Sequence, residues 1–194
     1  MAALGGEPRA LLPEQLDADV ERVKKEILSA HIPDDSTLRS VYALQLASDS
    51  GECWRAGDTA AALGRLSAAV EIDPGCHIAH YEMAWHYVSL GEEMHKPFMG
   101  SVVVGMADTY AQALAPRMTY YRRAIENLKK ALEIHPGRAA AWCLLGKVEY
   151  LTGDVDAARA AFQEAVRLDG SGPDGRLARS NLQLMESRAS QAGP

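Results

Sequence analysis

Residues 139–169 read AAAWCLLGKVEYLTGDVDAARAAFQEAVRLD, and their spacing decides the fold class of the chain. Ala139, Trp142, Leu145, Gly146 and Val148 recur at helical spacing before Thr152-Gly153-Asp154. Beyond it, Ala158, Phe162, Ala165 and Leu168 follow one another at four, three and three residues, which draws one apolar stripe along a second helix. Gly153 supplies the positive φ that ends a helix, and Asp154 caps the next. Small residues at Gly146, Ala158 and Ala165 let the two helices approach closely, with Trp142 and Phe162 filling the space between them.

The pattern echoes elsewhere. Ala62, Leu66, Ala69 and Ile72 repeat the four-three-three spacing after their own Gly57-Asp58 turn, and Leu46 and Ser50 stand where Trp142 and Gly146 stand later. His80, Met83, Ala84 and Tyr87 mark another first helix, with Gly91 where a turn glycine belongs. Ala124, Leu128, Ala131, Ile134 and Pro136 mark another second helix. These residues resemble the tetratricopeptide repeat, a helix–turn–helix unit of about 34 residues. The last unit departs from the pattern at Glu149, where an aromatic is expected, and at Gly170, where the closing proline is expected.

The expected architecture is all-α: an α-solenoid of antiparallel helix pairs with an N-terminal helix and a C-terminal capping helix. A mobile tail is expected over 1–13 and the helical domain over 14–189. Within it lie an N-terminal helix (14–31), repeats at 37–74, 77–136 and 139–169, and the cap (173–189). Leu16, Val20, Val23 and Ile27 form the stripe of the first helix, and Ala178, Leu182, Met185 and Ala189 that of the last. Between Leu90 and Ala124 the period fails. Pro97, Gly100, Gly105 and Pro116 mark 92–118 as an irregular insert containing one helix near 104–114, or else a shortened repeat.

A chain of 194 residues with 47% hydrophobic and 24% charged residues buries a core of ordinary size. Its net charge of −6 argues against nucleic acid as the main partner, since a phosphate backbone favours a basic surface. No run approaches the ~18 apolar residues of a membrane span, and MAALGGEPRALLPEQ lacks the basic start and apolar run of a signal peptide. Cys53, Cys76 and Cys143 are odd in number and far apart, as free thiols in a cytoplasmic protein would be.

No phosphate loop, nucleophile motif or HExxH is present, so neither catalysis nor a cofactor is expected. His77 and His80 share a helix face but lack a third ligand at fixed spacing, which disfavours a metal. In Tyr120-Tyr121-Arg122-Arg123 the reading is a packed Tyr121 with solvated arginines. The resemblance implies that first helices line a concave groove. That groove would present Leu44, Ala47, Gly51, Trp54 and Arg55, then Ile78, Tyr81, Trp85, Val88 and Ser89, then Ala140, Cys143, Lys147, Tyr150 and Leu151. The partner-binding set drawn from it is Leu44, Trp54, Arg55, Ile78, Tyr81, Trp85, Ser89, Cys143, Lys147 and Tyr150, because such a surface suits a peptide or an amphipathic helix.

The implied function is a non-enzymatic adaptor or scaffold; the alternatives are a secretion or assembly chaperone and a self-assembling homo-oligomer. Relatives that hold acidic chaperone tails use a clamp of Lys, Asn and Arg. The corresponding positions here are Ala47, Gly51, Glu82, Ala140 and Leu144, which form no clamp, and Glu82 would repel a carboxylate.

Overall fold

Turn chemistry sets the helix boundaries. The computed structural model describes residues 12–94 and 107–192; residues 1–11 of the tail expected over 1–13 and the centre of the insert lie outside them, and Pro13 already opens the first helix. Eight helices and no strand occur among the described residues: α1 (Pro13–Leu28), α2 (Ser36–Arg55), α3 (Thr59–Ile72), α4 (His77–Glu93), α5 (Ala107–Ile134), α6 (Ala139–Thr152), α7 (Val155–Leu168) and α8 (Pro173–Ala192). Gly57 and Gly153 take φ of 81° and 95°, reversing the chain after α2 and α6. The following aspartates cap the next helices: Asp58 accepts from the Ala61 amide at 2.9 Å and Asp154 from the Ala157 amide at 3.0 Å. Asp35 does the same for α2, accepting from Leu38 at 3.0 Å.

The helices pair as α2/α3, α4/α5 and α6/α7, each pair stacking on the next, and α8 lies against both α6 and α7. The core is segmented accordingly. Leu46, Leu63, Leu66 and Met83 belong to one cluster; Ala84, Tyr121, Leu128, Leu145 and Val148 to the next; Phe162, Ala165, Ala178 and Met185 to the last. Each cluster joins neighbours only, the logic of a solenoid. Gly146 shows why a small residue is needed inside a pair, since a Cβ there would stand 2.8 Å from the Phe162 ring.

Three sequence expectations need correction. The insert expected over 92–118 is helical from Ala107 onward, and that helix runs without a break into the second helix of the repeat, with Pro116 inside it. Proline removes one intrahelical hydrogen bond. Just beyond it, Tyr120, Tyr121, Ala124 and Leu128 are completely buried, which favours continuation. Gly91 is not a turn glycine, because α4 runs past it to Glu93. It clears space for α5, where a Cβ would stand 2.5 Å from the Tyr121 ring. Arg123 is not a freely solvated cation either. It donates to both Asp17 oxygens at 2.6 and 2.7 Å and so ties α5 to α1.

That tie helps place α1 on the side of the second helices. Val20 and Val23 meet Gly64 of α3, where a Cβ would stand 2.6 Å from Val23. The N-terminal helix therefore leaves the opposite faces of α2, α4 and α6 uncovered.

Candidate functional site

Trp54 lies in the last turn of α2 and Trp85 in the middle of α4, and the stacking of these helices brings the two rings to 6.0 Å, 72° apart in plane. Beneath them His86, the next residue on α4, is 2% exposed and stacks on Trp54 at 4.1 Å and 16°. Trp85 stands edge-on to the same imidazole at 5.4 Å. Gly51, Trp54, Arg55, Tyr81, Glu82, Trp85 and His86 together line a cavity of about 310 Å³. A second depression of about 370 Å³ continues it along Leu44, Ala47, Ser48, Gly51, Ile78 and Glu82. The two share Gly51 and Glu82, so they form one groove between α2 and α4.

Its electrostatics are unusual in three places. Burial drives the His86 pKa down to about 4, so the ring is neutral at pH 7, and neither ring nitrogen has a hydrogen-bond partner. Glu82 is half-buried, and desolvation pushes its carboxyl above the usual range against a partly offsetting pull from Arg138. The Arg138 guanidinium sits 3.9 Å over the Tyr81 ring.

Farther along, Lys147 of α6 pairs with Glu92 of α4 at 2.7 Å, and Ser89 donates to the Trp85 carbonyl at 3.0 Å. A polar strap thus follows the aromatic corner.

The comparisons with known proteins bear on this helix arrangement. A tetratricopeptide-repeat family model matches residues 117–173, which cover the end of α5 together with α6 and α7. Residues 117–173 thus match the tetratricopeptide-repeat family, and the chain has the fold of a tetratricopeptide-repeat domain. No curated protein sequence matches it. Among solved structures, the first tetratricopeptide-repeat domain of Spaghetti (RPAP3), bound to the HSP90 peptide SRMEEVD, aligns with a TM-score of 0.57 at 12% identity, covering 78% of this chain and 95% of that one. The same domain of human RPAP3 aligns equally well, with a TM-score of 0.57 at 12% identity over the same shares. The Sgt2 domain from Aspergillus fumigatus gives 0.56 at 16% identity, over 77% of this chain and 80% of that one. At these identities the likeness establishes the fold.

Of the expected partner-binding residues, the structure gathers Leu44, Trp54, Arg55, Ile78, Tyr81 and Trp85 around the two depressions. Ser89 and Lys147 line neither depression. Cys143 and Tyr150 go elsewhere. Cys143 is buried in the cluster with Phe162, Ala178 and Met185, and its thiol is pushed up to about 11 by that burial. Tyr150 accepts a hydrogen bond from Arg188 of α8 at 2.8 Å. The reason is α8, which stacks where a further first helix would and takes this side of α6 for itself.

His77 and His80 also part company. His77 stacks on His135 at 4.8 Å, while His80 is 3.1 Å from the Asn127 amide oxygen. Among the described residues no three His, Cys, Asp or Glu side chains converge. No helix among them is long and apolar enough to cross a membrane.

Sequence reasoning passed over His86 as a groove residue. The available signal was its position, a polar ring next to Trp85 and on the packed side of an otherwise apolar helix.

Proposed function

We propose that this protein is a non-enzymatic adaptor whose groove between α2 and α4 holds a segment of another protein. One observation carries the reading: Trp54, Tyr81 and Trp85 converge on an open cavity that α1 leaves uncovered, and Trp85 keeps 42% of its surface exposed. Large rigid aromatics in a concave site are the usual energetic anchors of an interface. The solved repeat domain of Spaghetti was captured with a peptide, which supports peptide binding as a use of this fold. Its peptide is acidic, whereas the groove here carries Glu82 and no basic clamp, so a different partner chemistry is expected.

Affinity capture from the native source, repeated with Trp85→Ala and Gly51→Leu, tests the reading. A Cβ at Gly51 has nothing within 4 Å, so a leucine there projects into the groove. A specific partner retained by the parent and lost from both folded variants supports the groove. Equal retention by all three moves the interface elsewhere.

Self-assembly has its own supporting observation. Leu38 and Val41 of α2 are 56% and 58% exposed at the outer edge of the first described helix pair. A homo-oligomer through that edge would show as a doubled mass by light scattering, abolished by Val41→Glu.

A further inference from the structure

We infer that the aromatic corner between α2 and α4 is a pocket for a basic side chain, so that the partner offers a lysine or arginine from an otherwise uncharged segment. The inference rests on the groove reading above and adds the chemistry of what enters.

Every group facing the cavity floor attracts a positively charged donor. Trp54, Trp85 and Tyr81 offer ring faces and edges around one space, and a cation within about 6 Å of a ring centroid is drawn to the face. The Glu82 carboxylate opens into both depressions and makes no ion pair or hydrogen bond among the described residues. Desolvation of this carboxylate is only partly offset by the charge of Arg138, and a cation entering the cavity would recover more of that cost. His86 provides a second, independent observation. It is 2% exposed, lines the cavity and has both ring nitrogens unpartnered. Its nitrogens are closed to solvent, so the ring contributes a neutral floor that does not repel a cation, unlike a protonated imidazole.

Two cations stand nearby. Arg138 covers one face of Tyr81 at 3.9 Å and offsets part of the Glu82 charge, but it does not line the cavity. Arg55 is exposed at the mouth, where solvent screens its charge. The chain as a whole, at −6, draws basic segments toward it. An acidic segment meets the opposite situation at every one of these points except Arg55.

The experiment titrates the full chain with three short acetylated, amidated peptides on one Gly-Ser scaffold. Their central pair is lysine, its uncharged isostere norleucine, or glutamate. Trp54 and Trp85 report by fluorescence, and Trp142, remote in the α6/α7 packing, contributes a constant background. The lysine peptide is expected to give a saturable change, weakened at least about tenfold by Glu82→Gln and abolished by Gly51→Leu, with both variants retaining their helical circular dichroism. The norleucine and glutamate peptides are expected to bind at least about tenfold more weakly. Equal binding of norleucine or glutamate peptide, or a Glu82→Gln variant that binds lysine peptide as the parent does, overturns the basic-pocket inference. If such binding is still blocked by Gly51→Leu, the groove reading survives without it. Absence of any saturable signal also overturns the basic pocket, and the affinity capture then judges the groove by itself.

Discussion

Trp54 of α2 and His86 of α4 lie face to face at 4.1 Å, and that stack joins the first two repeats at the floor of the groove. It also sets a pH dependence. Burial lowers the His86 pKa from the ordinary 6.5 to about 4. The unfolded chain therefore binds a proton below 6.5 that the folded chain refuses until about 4. The neutral ring's stability is present above 6.5 and is lost as pH falls through that window. At pH 4 the loss attributable to this ring approaches about 3 kcal/mol. Denaturant melts of the parent and of His86→Leu, compared at pH 7 and pH 4, should show the parent losing more by that amount. Parallel losses in the two proteins would contradict it.

Glycines in α2 and α4 should respond oppositely to a methyl group. At Gly91 the added Cβ meets the fully buried Tyr121 ring at 2.5 Å, so Gly91→Ala is expected to cost about 1–3 kcal/mol. At Gly51 nothing lies within 4 Å, so Gly51→Ala is expected to stabilise by about 0.5–1 kcal/mol through helix propensity alone. Urea midpoints of the two variants settle the contrast.

The docking of α1 involves one close-approach glycine and two ion pairs, Asp17 with Arg123 and Lys24 with Glu71. Gly64→Leu drives a side chain into Val23 and should lift α1 from α3, seen as fast amide exchange over 13–28 with slow exchange kept in α6 and α7. Asp17→Ala removes the paired acceptor of Arg123, whose side chain is 27% exposed. Its effect should therefore be about 1 kcal/mol or less.

How much of this was legible beforehand follows from what each residue's neighbours are. The Gly-Asp turns and the four-three-three stripes are local, so Gly57-Asp58, Gly153-Asp154 and the paired helices could be read directly. Pro116 misled because its helix-breaking tendency is local, whereas the burial of Tyr120, Tyr121 and Leu128 that outweighs it is not. Gly91 misled in the same way, as its partner Tyr121 lies 30 residues on. Cys143 and Tyr150 sit on the correct helix, but the side they face is fixed by where α8 lands. At the groove, Trp54, Tyr81 and Trp85 were expected from the family resemblance, while the unpartnered state of His86 required both helices in place.

Thiol chemistry checks the placement of α8. Cys143 is 5% exposed with its pKa pushed up to about 11, Cys76 is 4% exposed and also raised by burial, and Cys53 is only partly buried. Iodoacetamide at pH 8 should modify Cys53 more than about tenfold faster than Cys143 in the folded protein. Replacing Met185 of α8 with Asp should raise the Cys143 rate selectively. Rapid modification of Cys143 in the parent would mean that α8 does not cover it.

The groove itself is tested most directly by photo-crosslinking in the native source, with a reactive residue at Ser48 between α2 and α4 or at Arg159 on α7. A partner crosslinked from Ser48 but not from Arg159, and lost when Trp85→Ala is added, is the expected result. A partner crosslinked from Arg159 with a yield that Trp85→Ala leaves unchanged would place recognition on the second helices and contradict the groove.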